Sequence, residues 1–132
     1  MRHLKKKVHL SRNSAARKAL LKNLAKSLII HKSIITTVAK AKTLRSFVAP
    51  IITKAKTDSI SARREVFSHF QDKEPVKILF NEIIHKIADR KGGYTRIIRL
   101  SGNEENRALI ELVDYSQYTS PSKRERTSEN PA

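Results

Sequence analysis

Residues 75–113 decide the fold class of this 132-residue chain, and they read PVKILFNEIIHKIADRKGGYTRIIRLSGNEENRALIELV. In the first part, apolar residues recur at the spacing of one helix face. They are Val76, Leu79, Phe80, Ile83, Ile84 and Ile87. Pro75 fits the first position of this helix, where a backbone N–H group is not needed. Gly92 is a natural left-handed stop after the helix. The first part of the stretch therefore predicts one helix that begins at Pro75.

The second part of the stretch predicts two β-strands. They cover residues 94–100 and 107–113, which are rich in β-branched and other large apolar residues. The link over residues 101–106 is polar and contains Gly102, so the strands are expected to form an antiparallel hairpin. A helix followed by a hairpin is typical of an α+β fold.

The chain before this stretch begins with a helix and a strand. Amphipathic spacing predicts a helix over residues 14–31, with Ser11, Asn13 or Ser14 as its N-cap. A β-branched run over residues 34–38 then predicts a short strand.

Two more helices are expected before Pro75. One begins near Ala39 and contains Pro50, which predicts a kink or a break at that point. The next covers residues 60–69, with Asp58 or Ser59 as its cap. The full pattern predicts an α+β fold of about four helices with a small three-stranded sheet.

Charge divides the chain unevenly. The first 57 residues hold fifteen Lys and Arg and no acidic residue, while the remainder holds thirteen basic and twelve acidic residues. About +15 of the net +16 therefore lies before Asp58 (15 + 13 − 12 = 16). Such self-repulsion indicates a polyanionic partner, and nucleic acid fits because its phosphates bind Lys and Arg with release of counterions.

The charge pattern also suggests three regions. Residues 1–12 are a basic RNA-contacting arm with little to bury, and we expect it to become ordered only on binding. Residues 13–114 form a single α+β domain. Residues 115–132 are rich in Ser, Thr, Pro and charge, so they predict a polar disordered tail.

Three lysines of the first predicted helix recur every four residues. Lys18, Lys22 and Lys26 share one side of the helix. A set of leucines (Leu20, Leu21, Leu24 and Leu28) occupies another side and is expected to face the core, with Leu24 buried in the middle of the stripe. Because no Glu is interleaved with the lysines, we interpret them as a ridge that follows a phosphate backbone. The alternative is an ordinary solvated face.

Several function classes are not supported by the sequence. The chain has no Cys, and its five His residues show no metal-binding spacing, so neither a metal nor a cofactor is expected. Glu82 and Glu111 could act as an acid–base pair only if the fold brought them together. No apolar run approaches the roughly 20 residues needed to span a bilayer.

The segment Lys91, Gly92, Gly93, Tyr94 is interpreted as a helix stop that leads into a strand. It could also contact RNA, through stacking of a base on Tyr94 and through the nearby cations Arg90, Lys91, Arg96 and Arg99.

Short motifs along residues 1–114 resemble the bacterial large-subunit ribosomal protein family number seventeen. The matching residues in the first half are Met1, Arg2, His3, Leu10, Arg12, Asn13, Ser14, Arg17, Asn23, Leu28, His31, Thr36, Thr37, Lys40, Ala41, Lys42, Leu44 and Arg45. Those in the second half are Pro50, Ile52, Ala55, Lys56, Thr57, Asp58, Phe80, Asn81, Glu82, residues 92–97 and residues 110–114. The chain departs from the family in a shorter hairpin loop and in the loss of two acidic positions, at Lys32 and Thr43.

The resemblance implies a structural protein of the large ribosomal subunit, near the peptide exit tunnel and beside other large-subunit proteins. Its expected partners are large-subunit ribosomal RNA and those proteins, without a membrane or a small-molecule substrate. The charge pattern and the resemblance together give these candidate RNA contacts: Arg2, His3, Lys5, Lys6, Lys7, His9, Arg12, Asn13, Arg17, Lys18, Lys22, Lys26, Lys40, Lys42, Arg45, Lys56 and Arg96.

Two other functions remain open at this point, a DNA-binding protein of the nucleoid type and a basic module that binds a membrane surface. A helix-turn-helix would require a short turn where the strand over residues 34–38 is predicted. A membrane-surface helix would be expected to carry Trp or Phe on its apolar side, and residues 14–31 have neither. The expected location is the cytoplasm, on a bacterial ribosome, with an organellar ribosome as the alternative.

Overall fold

The structure is a computed structural model that describes residues 10–100 and 106–115. Its helices and strands follow the predicted order closely. They are α1 (Ser14–His31), β1 (Ser33–Thr37), α2 (Val38–Ala55), α3 (Ile60–Phe70), α4 (Lys73–Ile78), a π-helical turn (Leu79–Ile83), α5 (Ile84–Ile87), β2 (Thr95–Arg99) and β3 (Arg107–Leu112). A 3₁₀ turn (Val113–Tyr115) follows β3. The predicted α+β class is confirmed.

Short polar side chains begin the helices, as the sequence predicts. The Asn13 side chain accepts a hydrogen bond from the Ala16 N–H group at 2.8 Å. Ser59 does the same for the first turn of α3. Thr37, the last residue of β1, caps α2, so the chain passes from strand to helix without a connecting loop.

The helical segment around Pro75 differs from the prediction in two ways. It begins at Lys73 rather than at Pro75, with Asp72 as its N-cap. Pro75 is tolerated at the third position because the first four N–H groups of a helix have no partner within it. The segment also passes through a π-helical turn, which apolar spacing does not distinguish from an α-helix.

The glycine prediction is wrong, and of the two outcomes predicted for Pro50, a kink or a break, the break does not occur. The left-handed residue before β2 is Gly93, with φ of 63°, and not Gly92. Pro50 does not break α2, which continues from Val38 to Ala55. Pro50 lies on the exposed side of α2, and on the same side Thr53 donates its hydroxyl to the Ala49 carbonyl at 3.0 Å.

The three strands form one antiparallel sheet with β3 in the centre and the order β1-β3-β2. Ile110 of β3 lies opposite Ile34 of β1 and Ile97 of β2. Ala108, Ile110 and Leu112 alternate along β3 and are fully buried, so one face of the sheet packs on the helices. Helix α2 contacts all three strands and links the sheet to the other helices.

The buried side of α1 is turned toward the lysines relative to the prediction. Leu21 and Leu28 are buried as expected, and the unpredicted Ala25 and Ile29 complete the stripe. Leu24 is only half-buried, so the prediction of a buried Leu24 is wrong. The rotation brings the lysine side of the helix close to α3 and α4.

Tyr115 belongs to the domain, although the predicted boundary was placed after Asp114. Tyr115, placed in the tail by composition, belongs to the 3₁₀ turn and packs against the hydrophobic core. Its hydroxyl donates to Glu82 at 3.3 Å, and the Lys86 ammonium lies 4.1 Å from its ring centroid. The rest of the predicted tail, residues 116–132, lies outside the described residues.

Candidate nucleic-acid interface

The lysine ridge of α1 is partly neutralised by a neighbouring element. Lys26 lies 3.8 Å from the Asp72 carboxylate, and Lys22 donates to the side-chain oxygen of Gln71 at 3.4 Å. Lys18 alone is exposed and makes no ion pair within residues 10–100 and 106–115. The expectation of a ridge without carboxylate partners is therefore wrong for Lys26.

Helix α2 presents a pair of cations without such partners. Lys42 and Arg45 are exposed and lie three residues apart, so they share one face of the helix. Neither forms a salt bridge with any residue of the described ranges. Lys40 is half-buried and, two residues before Lys42, points to the other side of the helix. The structure thus brings together Lys42 and Arg45 but separates Lys40 from them.

Two arginines lie where the arm meets α1. The Arg12 guanidinium donates to the Leu10 carbonyl at 2.7 Å, and the Arg17 guanidinium donates to the Arg12 carbonyl at 3.3 Å. Asn13, a predicted RNA contact, uses its side-chain oxygen as the cap of α1. The remaining arm candidates lie outside the described residues: Arg2, His3, Lys5, Lys6, Lys7 and His9.

Arg96 forms an ion pair within the domain. Its Nε donates to the Glu111 carboxylate at 3.0 Å, and its Nη2 donates to the same oxygen. Glu111 is 2% exposed, which makes it the buried charge of the described domain. The predicted RNA contact at Arg96 is thus engaged in stabilising this carboxylate. Glu82 contacts Lys32 and Tyr115 instead, so Glu82 and Glu111 serve different partners.

Tyr94 and Lys56 form a second internal contact. Tyr94 is 2% exposed, so the prediction that its ring stacks on a base is wrong. The Lys56 ammonium lies 4.8 Å from the ring centroid. Burial disfavours the phenolate, but hydrogen bonding with Thr53 and Lys56 and the charge of Lys56 outweigh it, and the pKa of Tyr94 is lowered.

Further cations of the second half are paired with acids. Arg63 binds Asp58 through two nitrogens at 2.7 and 3.1 Å, and this hydrogen bonding raises the pKa of Arg63 and lowers that of Asp58. Arg90 binds Asp114 in the same way, which raises the pKa of Arg90. Other exposed cations without an ion pair in the described ranges are Lys91 and Arg99, which the sequence analysis names as RNA contacts, and also Arg64, Lys73, Lys77 and Lys86.

An open cavity of about 680 Å³ lies between α2 and α3. Its walls carry hydroxyl groups, including those of Ser46, Thr53 and Thr57, and the Lys54–Glu65 ion pair, whose atoms are 3.1 Å apart. No His, and no carboxylate other than Glu65, is among its described lining residues. Across residues 10–100 and 106–115, no group of three potential metal ligands occurs. In the same ranges, no helix is long and apolar enough to cross a membrane.

These features define a class of protein. It is a small, strongly basic α+β domain. Most acids among its described residues are used in internal pairs, while Lys18, Lys42 and Arg45 face solvent without an ion pair to any described residue. A surface of this kind suits a polyanion.

Comparison with known proteins identifies the family. The model of the family "Ribosomal protein L17" matches residues 20–113. A curated relative from Amoebophilus asiaticus, a large ribosomal subunit protein bL17, is 68% identical over 121 residues, which cover 89% of this chain and 62% of the relative. The chain belongs to the ribosomal protein L17 family.

Other relatives agree. The bL17 protein of Porphyromonas gingivalis is 52% identical over 120 residues, with 89% of this chain and 75% of the relative covered. The bL17 protein of Chlorobium limicola is 48% identical over 132 residues, which cover 96% of this chain and 87% of the relative. The family resemblance seen in the sequence motifs is confirmed, as is the prediction of a ribosomal protein rather than an enzyme.

Proposed function

We propose that this chain is a structural constituent of the large ribosomal subunit that binds ribosomal RNA mainly through Lys and Arg contacts to phosphate. The observation that carries the proposal is that Lys42 and Arg45 are exposed, pair with no acid in residues 10–100 and 106–115, and lie on a segment without acidic residues. Cations of this kind release counterions from nucleic acid without first losing an internal partner.

The charged residues of the domain then divide into two roles. Paired cations such as Lys26, Lys54 and Arg63 join helices or loops within the protein, and their charge is largely compensated. Unpaired cations provide the RNA affinity. Because phosphate contacts carry little base information, the domain recognises RNA by the shape of its backbone.

The remaining assignments belong to the same proposal. The arm over residues 1–12 adds phosphate contacts at the N-terminal end of α1, where Arg12 and Arg17 already lie. Neighbouring large-subunit proteins and a position near the peptide exit tunnel follow from the family resemblance. So does a cytoplasmic location on the bacterial ribosome.

Two geometric features favour RNA over the alternatives. Strand β1 lies between α1 and α2, so these helices do not form a helix-turn-helix. The apolar side of α1, including Leu21 and Leu28, is buried in the domain core and is not available to a bilayer surface.

A sedimentation experiment tests the proposal. Lysate of the source bacterium is separated on a sucrose gradient, and the chain is detected with an antibody in each fraction. The chain should sediment with large subunits and whole ribosomes, remain there after DNase treatment, and leave these fractions in high salt. Sedimentation with DNase-sensitive nucleoid or with membranes would contradict the proposal.

A further inference from the structure

Strand β1 forms one edge of the sheet, and the ladder on its inner side can be traced by its ends. The Leu112 N–H group donates to the Lys32 carbonyl at 3.0 Å, just before the strand. The Val38 N–H group donates to the Asn106 carbonyl at 2.8 Å, just after it. The Lys32 carbonyl and the Val38 N–H group therefore both point toward β3.

Along an antiparallel strand, every second residue directs its backbone N–H and C=O groups toward a given neighbouring strand. Ile34 and Thr36 therefore also direct these groups toward β3. The backbone N–H and C=O groups of Ser33 and Ile35 point the other way, as does the Thr37 N–H group, while the Thr37 carbonyl belongs to the first turn of α2. Within residues 10–100 and 106–115, no strand lies along that outer side, because the sheet order is β1-β3-β2. The outer side of β1 thus presents a row of backbone donors and acceptors.

This edge lacks the features that usually block strand addition. Proteins commonly protect an edge strand with charged residues, proline or a bulge. The five residues of β1, Ser-Ile-Ile-Thr-Thr, include no charge and no proline. By contrast, β2 at the opposite edge carries Arg96 and Arg99. Ile35 is 59% exposed, which is unusual for a large apolar side chain on a strand.

The outer face of the sheet supports the same conclusion. Ile35 lies opposite Leu109 of β3, and Leu109 lies opposite Ile98 of β2. The three side chains form an apolar row across the sheet, half-buried at Leu109 and Ile98 and exposed at Ile35. A further strand beside β1 would continue this row and cover its exposed end.

The charge of β1 and of the whole chain indicates which kind of molecule can bind along the outer side of β1. RNA is disfavoured because β1 has no cation to bind phosphate, and the adjacent Lys32 lies 3.6 Å from Glu82 and 5.5 Å from the Tyr115 ring centroid. A second copy of the chain is disfavoured by the repulsion between two molecules of net charge +16. A neutral or acidic polypeptide is compatible with both the strand and the charge.

We propose that β1 is extended by a strand from a neighbouring protein of the large subunit. The added segment is neutral or acidic and places an apolar side chain beside Ile35. This inference rests on the proposed function, since it takes its partner from the same particle. It assigns a surface for protein contact that is separate from the cations proposed to bind RNA.

Amide hydrogen exchange of the native chain tests the inference in three states. They are the free protein, the protein bound to large-subunit RNA stripped of other proteins, and intact large subunits. The outward amide of Ile35 should exchange rapidly in the first two states and become at least tenfold slower in the third. The inward amides of Ile34 and Thr36 should be slow in all three.

The other outcomes each overturn the inference. Protection of Ile35 in the RNA complex alone would assign the edge to RNA. Protection that rises with concentration in the free protein would assign it to a second copy. Rapid exchange in intact subunits would show an unoccupied edge. Absence of the chain from large subunits would instead refute the proposed function, so the two failures are distinguishable.

A pair of variants at one position separates backbone pairing from side-chain contact. Ile35→Pro removes an N–H group that the β1–β3 ladder does not use, and proline is tolerated on edge strands. Ile35→Thr keeps the N–H group and the β-branched shape. In competition with wild type for assembly into large subunits, Ile35→Pro should lose about tenfold, as expected for a lost hydrogen bond with local steric conflict. Ile35→Thr should lose much less.

Circular dichroism and affinity for stripped RNA serve as the controls, and both should be unchanged. Equal assembly of a folded Ile35→Pro variant and wild type would overturn the inference. If the proline variant does not fold, the exchange experiment on the native chain decides the question by itself.

Discussion

Replacement of paired and unpaired cations should affect RNA binding differently. The test variant is Lys42→Gln/Arg45→Gln, which removes two exposed cations without an ion pair in the described ranges. The matched control is Lys26→Gln/Lys54→Gln, which removes cations 3.8 Å from Asp72 and 3.1 Å from Glu65. Both variants lower the net charge by two. Gln is nearly as good a helix former as Lys or Arg, so both should fold.

The expected magnitude follows from the number of phosphate contacts that each variant loses. Each contact contributes about 0.7–0.9 to the slope of log affinity against log salt concentration. Loss of two contacts at Lys42 and Arg45 should reduce the slope by about 1.4–1.8. The control should change the slope by less than half as much, because its cations already have carboxylate partners.

The assay is filter binding to large-subunit ribosomal RNA stripped of protein, at five or more salt concentrations. Circular dichroism confirms that each variant is folded. Equal slopes for the two variants would show that only net charge matters, and would refute the distinction between paired and unpaired cations. An unchanged slope for Lys42→Gln/Arg45→Gln would remove these residues from the interface.

Three other predictions concern the domain itself. In urea unfolding, Ile83→Ala should lower the free energy of unfolding by about 2–5 kcal/mol. Leu24→Ala should lower it clearly less, because Leu24 is half-buried. Equal losses would contradict the packing described for these two side chains. Arg96→Gln should lower the free energy of unfolding by about 1–3 kcal/mol, because it weakens the hydrogen bonding of the buried Glu111 carboxylate. Replacement of the exposed Arg99 by Gln should change this free energy by less than about 0.5 kcal/mol. Similar losses for the two variants would show that the Arg96–Glu111 ion pair contributes nothing specific. Burial and a neighbouring carboxylate raise the pKa of Tyr115 to about 12. The folded state therefore binds the phenol proton more tightly than the unfolded state does. As pH rises from about 10 toward 12, the wild type should lose stability relative to Tyr115→Phe. A difference that is constant across this range would contradict the raised pKa.

The order of helices and strands could be predicted because apolar periodicity reports which faces are buried. Spacing alone does not report local hydrogen-bond geometry. The π-helical turn (Leu79–Ile83) and the left-handed Gly93 therefore escaped prediction. The uninterrupted α2 at Pro50 depends on tertiary packing that outweighs the local cost of proline. Ala25 and Ile29 were not predicted as core residues, because the leucine positions alone place the buried side of α1 too far from its lysines.

The polar contacts were less predictable than the helices. Asp72 reaches Lys26 from the start of α4, and Glu111 lies directly opposite Arg96 on the neighbouring strand. Such pairs depend on the final fold and leave no short-range signal in the sequence. The acid-free N-terminal part was a reliable signal of a cationic surface. Only the structure shows which of its cations are already paired.

Site-specific photocrosslinking can show whether Lys42 and Arg45 lie against ribosomal RNA in the assembled subunit. A photoreactive amino acid is placed at position 42 or 45 of the chain, and large subunits that contain the variant are purified and irradiated. If Lys42 and Arg45 bind phosphate, both positions should crosslink to large-subunit ribosomal RNA, while a probe at Ala62, which is buried in the domain, should not. Crosslinks from positions 42 and 45 only to protein, or none to RNA in subunits that contain the chain, would contradict phosphate binding by these residues.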